Sequence, residues 1–318
     1  MSDLIVLHET PEGPHGKRPE ERSVPELLKA GVINIDKPQG PTSHQVSAWV
    51  RDLLGVPKAG HAGTLDPRVT GVLPVALENA TRALDALLVG DKEYVGVMQL
   101  HQDVDEGRLR TLISEFVGEV YQTPPVRSAV KREMRTRTIY ELEPLEIEGR
   151  LALLRVRCES GTYIRTLCND LGEALGVGAH LADLRRTRTV SFHEKESGSL
   201  SALKDAFVLW KEEGDEKDIR KIVQPMERLL AHLPAIIVKD TAVDAICHGA
   251  SLAVPGVAKL DRRMRKGDLV AIYTGKGEGV ALMDAEKSTE ETVTDKTGVA
   301  ATAKRVLMEP GTYPRLWK

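Results

Sequence analysis

The segment GHAGTLDPRVTGVLPV, Gly60 to Val75, decides how this chain is read. It sets one carboxylate, Asp66, immediately before a proline, with His61 upstream and an apolar run downstream. Pro67 has a fixed φ and restricts the residue before it to extended or turn geometry. Gly63 and Gly71 let the backbone approach a ligand closely. The run from Gly71 to Leu77 predicts a strand. A single acid is therefore held rigidly at a turn beside a strand, with room for something flat next to it. An isolated Asp-Pro pair closes a turn on its own backbone. The rest of the chain gives this one another meaning.

Outward from that segment, strand and helix patterns interleave. Val32, Ile33 and Ile35 predict a strand that stops at DKPQGP, Asp36 to Pro41. Thr42 or Ser43 then caps a helix with Val46, Val50, Leu53 and Leu54 on its apolar side. Glu78 to Leu88 is helical, Glu93 to Leu100 a strand and Arg108 to Phe116 a short helix. KREMRTRTIYELEPLEI, Lys131 to Ile147, has the look of a hairpin. Leu151 to Glu159 is a strand and Tyr163 to Leu175 a helix. Interleaving together with a hairpin favours an α+β fold on a mixed sheet. Residues 1–30 are polar, with Pro11, Pro14, Pro19 and Pro25, and predict an arm with no core element. The charged run Lys211 to Asp218 predicts an exposed loop or helix end. Beyond it LPAIIVKD, HGASLAV, KGDLVAIYT, GEGVALM and AKRVLM are short strands punctuated by turn residues, the pattern of a small β-barrel. The chain divides accordingly into an arm at 1–30, a first domain at 31–233 and a barrel at 234–318.

At 318 residues the chain is long enough for two domains with a sizeable core. Its apolar runs are of strand length, too short to span a membrane, and the N-terminus has no basic-then-apolar signal design. A cytoplasmic protein is expected. Cys158, Cys168 and Cys247 show no metal-ligand spacing and predict reduced thiols; the histidines are scattered, and no metal site is expected. Net charge is −3, which argues against indiscriminate coating of nucleic acid. Yet the cations are clustered. Arg127, Lys131, Arg132, Arg135 and Arg137 form one run. Arg185, Arg186 and Arg188 form a second, and Arg262, Arg263, Arg265 and Lys266 a third. Three such runs in an acidic chain suggest a shaped path for RNA. Aromatic content of 4% disfavours extended base-stacking platforms, leaving recognition to backbone contacts and shape.

Four further segments keep company with the first: GVINIDKPQGPTSHQV from Gly31, KEYVGVMQL from Lys92, SGTYIRTLCNDLG from Ser160 and GVGAHLADLRRTRT from Gly176. In this order and at these separations the chain resembles the TruB-type family of RNA pseudouridine synthases. PELLKAGVINIDKP, PPVRSAVKREMRTRTIYELE and HGASLAVPGVAKL are similar to its dyskerin-like branch, the catalytic subunit of H/ACA ribonucleoproteins.

The resemblance implies an enzyme that breaks the N1–C1′ bond of uridine, turns the base and rejoins it through C5, with no cofactor. The target base must leave its stack to be reached. By the same resemblance Asp66 is the catalytic carboxylate, and Arg165 is its ion-pair partner, both expected to be buried. Tyr94 stacks on the flipped uracil with its hydroxyl placed for proton transfer. Tyr163, Leu184 and His61 line the substrate pocket. Lys37 and Pro38 shape the first motif without taking part in chemistry. The barrel would be a PUA domain gripping a guide RNA. The implied partners are an H/ACA guide RNA, substrate RNA, a small Nop-family protein, a Gar-family β-barrel protein and a kink-turn-binding ribosomal-like protein. A stand-alone transfer RNA synthase of the same fold is the second reading. The short connection between Leu100 and Thr111 leaves little room for the RNA-gripping insert of such enzymes. A non-catalytic RNA-binding scaffold is the third, and an intact Asp66, Tyr94 and Arg165 argues against it.

Overall fold

The structure, a computed structural model, describes residues 3–9, 13–124 and 133–315. Two sheets carry it. The catalytic sheet runs, neighbour by neighbour, through Val223–Pro225, Gly31–Lys37, Thr70–Leu77, Ala179–Thr189, Asp91–Leu100, Leu151–Glu159, Arg135–Glu148 and Gly118–Gln122. Its pairs are antiparallel except Thr70–Leu77 with Ala179–Thr189, so the sheet is mixed, as the pattern predicts. The second sheet orders Leu4–Val6, Val257–Asp261, Ala235–Val238, Leu269–Tyr273, Gly279–Ala285, Val299–Val306 and Leu252–Ala253.

Local chemistry sets the elements around Asp66. Thr42 caps the helix Ser43–Leu54: its hydroxyl accepts from Gln45 N at 3.1 Å, and Gln45 Oε1 accepts from Thr42 N at 2.8 Å. The helix ends at Gly55, whose φ of 63° is left-handed. Val46, Val50 and Leu54 pack on Ile33, Ile35, Leu73 and Val75 of the sheet. Thr70–Leu77 is almost continuously apolar because it is covered on both faces. The C-terminal sheet has its own core around Ile236, Val257, Leu260, Val270 and Met283. A further apolar cluster, containing Val72, Ala76, Leu229, Ile237 and Leu282, joins the two sheets. Among the described residues no helix is long and apolar enough to cross a membrane.

Two expectations are overturned. The described residues among the first thirty form no separate arm. Leu4–Val6 pairs antiparallel with Val257–Asp261, and Val24, Leu27 and Leu28 are buried in the catalytic core. Pro19 and Pro25, read as breakers, sit in the first turns of short helices, where a missing N–H is harmless. Nor do residues 133–147, the described part of the Lys131 to Ile147 stretch, form a hairpin. Arg135–Glu148 is one strand, and the chain turns back only at Gly149, with φ 56°. Pro144 resembles a turn residue, but it lies where the register with Leu151–Glu159 shifts, a bulge that accommodates proline.

Candidate active site

Asp66 lies in the loop between Ala59–His61 and Thr70–Leu77, and the loop is clamped from below. Ser43 Oγ accepts from Leu65 N at 2.9 Å and donates to Leu65 O at 3.0 Å. The buried Lys37 ammonium donates to Val69 O at 2.8 Å, Pro38 O at 2.9 Å and Pro67 O at 3.2 Å. Gly40 N adds a bond to Pro67 O at 2.8 Å. Burial pulls the Lys37 pKa down, and nearby Asp66 opposes that pull. The motif lysine that the sequence assigns to shape thus acts on the loop that aims the carboxylate.

Arg165 stands in the first turn of the helix Ile164–Leu175, and its guanidinium pairs with the Asp66 carboxylate. The expected pairing is present; the expected burial is not. The Asp66 and Arg165 side chains are 56% and 52% exposed, so the pair sits on the rim of the site, open to solvent. Tyr94 forms the floor. It is 9% exposed, on Asp91–Leu100, directly across from Val156 on one side and Arg186 on the other. Leu65 and Val69, flanking Asp66, share one apolar cluster with Tyr94 and Ile164, and Leu184 packs against it. The wall residue Leu184 sits opposite Gly96, where a Cβ would come within 2.9 Å of its Cδ1. Tyr163 caps the Arg165 helix. Its N–H donates to Gln122 Oε1 at 2.9 Å, and its carbonyl accepts from Gln122 Nε2 at 3.1 Å. His61 Nδ1 bonds Ser47 Oγ at 2.8 Å, and its ring meets His44 edge-on at 4.7 Å. Burial, His44 and Arg186 together pull its pKa down to about 4, so it is neutral at working pH.

The sequence missed the residue that ties these parts together. Arg186 is 1% exposed. Its Nε donates to Val72 O at 2.8 Å and its Nη1 to Gly63 O at 2.7 Å. Its neighbours Arg185 and Arg188 pair with Asp36 and Glu194, and with Asp91. The second basic run is therefore held within the fold: Arg186 is buried, and Arg185 and Arg188 are half-buried against carboxylates. The signal was present: in a strand Leu184 and Arg186 share a face. Lys92, also buried, donates to Leu87 O and Ser160 Oγ, each at 3.0 Å, and its pKa is pulled down to about 8 by burial and by Arg186. In the third run Arg262 pairs with Asp3 and Arg263 with Asp261, while all four cations stay exposed. Arg127, Lys131 and Arg132 lie outside the described residues. A cleft of about 840 Å³ lies elsewhere, between the N-terminal segment and the second sheet, and none of Asp66, Tyr94 or Arg165 lines it.

Family models match along the chain. They are the DKCLD (NUC011) domain at residues 5–47, the TruB family pseudouridylate synthase N-terminal domain at 51–164, the tRNA pseudouridylate synthase B C-terminal domain at 165–231 and the PUA domain at 234–307. A probable tRNA pseudouridine synthase B from Methanopyrus kandleri is 55% identical over 316 residues, which is 99% of this chain and 94% of that protein. The chain belongs to the TruB family of pseudouridine synthases. A second relative of this synthase, the probable tRNA pseudouridine synthase B of Methanosarcina barkeri, is 55% identical over 303 residues, 95% of this chain and 90% of that one. Among solved structures, a chain of a Cbf5-Nop10-Gar1 complex superposes with a TM-score of 0.94 at 50% identity, covering 99% of this synthase and 96% of that chain. A chain of an H/ACA RNP bound to a substrate RNA containing 2′-deoxyuridine gives 0.92 at 48% identity, covering 99% and 97%. The synthase is thus a catalytic domain followed by a PUA domain.

Proposed function

We propose that this synthase isomerises uridine in RNA as the guide-RNA-dependent catalytic subunit of an H/ACA ribonucleoprotein. Its substrate is ribosomal or transfer RNA presented by base pairing with the guide. The observation that carries the reading is the Asp66–Arg165 ion pair, whose chain neighbours Leu65 and Ile164 share one cluster with Tyr94, in a chain similar along its whole length to proteins solved in H/ACA complexes. Asp66, aimed by Arg165, attacks or stabilises the reacting nucleoside as N1–C1′ breaks. The base turns and C5 joins C1′. Tyr94 stacks on the ring; its phenol gives its proton to N1, and the phenolate so formed takes the proton that C5 loses while the C–H electron pair returns to the ring. The tyrosine ends with a proton as it began, so the reaction is redox-neutral.

His61, Tyr163 and Leu184 shape the pocket. Arg262, Arg263, Arg265 and Lys266 offer phosphate contacts to the guide, as do Arg127, Lys131 and Arg132 to the RNA. The partners are substrate RNA, the guide, a small Nop-family protein, a Gar-family protein and a kink-turn-binding protein; the setting is the cytoplasm. The domains are 31–233 and 234–318, with residues 1–30 shared between them. A stand-alone transfer RNA enzyme is the second reading, favoured by the names of the relatives. Against it, only residues 101–105 separate Asp91–Leu100 from Glu106–Glu115.

The test is tritium release from RNA labelled at uridine C5, comparing a guide-matched RNA with a transfer RNA, each with and without guide and partner proteins. Release from the matched RNA that requires the guide is expected. Release only from transfer RNA, whatever the guide, would overturn the assembly and leave the synthase.

A further inference from the structure

Arg186 poses a physical problem. A guanidinium keeps its charge at any working pH, and removing it from water is costly unless an anion lies beside it. Here two of its nitrogens bond backbone carbonyls, and among the described residues no carboxylate pairs with it. Its Nη2 is buried and makes no hydrogen bond of good geometry. What remains to the guanidinium is the phenol of Tyr94, which is directly opposite in the sheet and is its electrostatic partner. The same guanidinium touches Gly63 in the loop that carries Asp66. At Gly71 even a Cβ would strike the Arg186 backbone, at 2.2 Å from its carbonyl oxygen. One buried cation is thus braced between the carboxylate loop and the tyrosine.

We propose that Arg186 is a positioning residue for Tyr94, fixing the direction of its hydroxyl from beneath the pocket. A guanidinium has donors only, so towards Arg186 the phenol oxygen is an acceptor. Its own proton then points away from Arg186, to the side where the turned base lies. When the phenol gives up that proton, the buried charge next to it favours the phenolate that burial alone would oppose, and the phenolate can then take the proton that C5 loses. The inference rests on the reading of Tyr94 given above. It explains why a synthase whose catalytic carboxylate sits in solvent keeps a full positive charge in its interior.

The charged and titratable groups acting on Tyr94 are Arg186 from one neighbouring strand and the Cys158 thiol from the other. Lys92 and His61 lie within the field of Arg186. Lysine can replace the charge but not the planar set of donors that reaches Val72 O and Gly63 O together while lying opposite Tyr94. The experiment is single-turnover pseudouridine formation by the assembled, guide-bound enzyme. It compares wild type, Arg186→Lys, Tyr94→Phe and the double variant, with RNA affinity and melting temperature measured on each. Arg186→Lys should slow the chemical step at least about tenfold with RNA affinity within about twofold. In the Tyr94→Phe background it should cost almost nothing more. Equal losses in the two backgrounds, or no loss in either, would overturn the proposal. Full activity of Tyr94→Phe alone would instead sink the role given to the tyrosine hydroxyl.

If Arg186→Lys does not fold, the wild-type enzyme still answers. Tyrosine labelled with carbon-13 at Cζ, with Tyr94 assigned through Tyr94→Phe, is titrated towards alkaline pH by NMR. Tyr94 should begin to ionise before Tyr273, which is also buried but has the Glu227 carboxylate for a neighbour. Ionisation of Tyr94 no earlier than Tyr273 would overturn the proposal.

Discussion

The rim and the floor of the site hold their charges in opposite ways. On the rim, Asp66 and Arg165 form an ion pair with both side chains more than half exposed. On the floor, Arg186 is buried with carbonyls and a phenol as its company. An exposed pair contributes on the order of 0–1 kcal/mol to stability, so the fold is nearly indifferent to the rim pair, as the proposed role of aiming a carboxylate requires. The floor is part of the core, and whatever disturbs it disturbs packing as well. The lesson is a separation by depth: the rim can be changed with little cost to the fold, whereas the floor couples any change to packing.

The sharpest way to break that separation is Asp66→Asn. It should abolish pseudouridine formation, with at least about a thousandfold loss, and leave RNA affinity and melting temperature unchanged. Wild-type turnover would remove Asp66 from the chemistry. Arg165→Ala comes next. Turnover should fall about a hundredfold through misplacement of Asp66, with a change of less than about 1 kcal/mol in denaturant stability. A larger change would mean that the rim pair supports the fold after all.

Ser43→Ala tests the clamp between the two regions. It leaves the buried N–H and C=O of Leu65 without their partner and should cost about 1–3 kcal/mol. Turnover should drop several-fold while the KM for RNA holds. Unchanged stability would show that the loop relaxes freely. The smallest effect concerns His61. Its folded pKa of about 4 lies below its ordinary 6.5, so the unfolded chain binds the proton more readily. The contribution of neutral His61 is complete above pH 6.5 and is lost as pH falls towards 4. His61→Gln should therefore lose less melting temperature than wild type between pH 7 and pH 4. Parallel curves would show that His61 takes up its proton without penalty.

Much of the rim was legible in the sequence, and so was Tyr94 on the floor. The Asp66–Arg165 pairing, the strand that carries Tyr94 and the Thr42 cap are present in the fold. The cation beneath Tyr94 was not legible, because it depends on alternation hidden by composition. In LADLRRTRT three arginines look like a solvated run, which hides the strand Ala179–Thr189 at the centre of the sheet. A period of two puts Arg186 beside Leu184 on the pocket face. The N-terminal strand was unreadable for a different reason. Three residues, Leu4–Val6, carry no period, and their partner lies at the other end of the chain.

That pairing has a consequence during synthesis. Leu4 leaves the ribosome first, but its partner Asp261 follows 257 residues later. At about 5–20 residues per second the strand waits on the order of 13–50 seconds for an edge to join. The PUA sheet, for its part, is born with that edge uncovered. A fragment starting at residue 234 would keep its own core and lose the strand that covers Val257–Asp261. It should pair with itself in concentrated solution, since a bare edge recruits whatever strand is at hand.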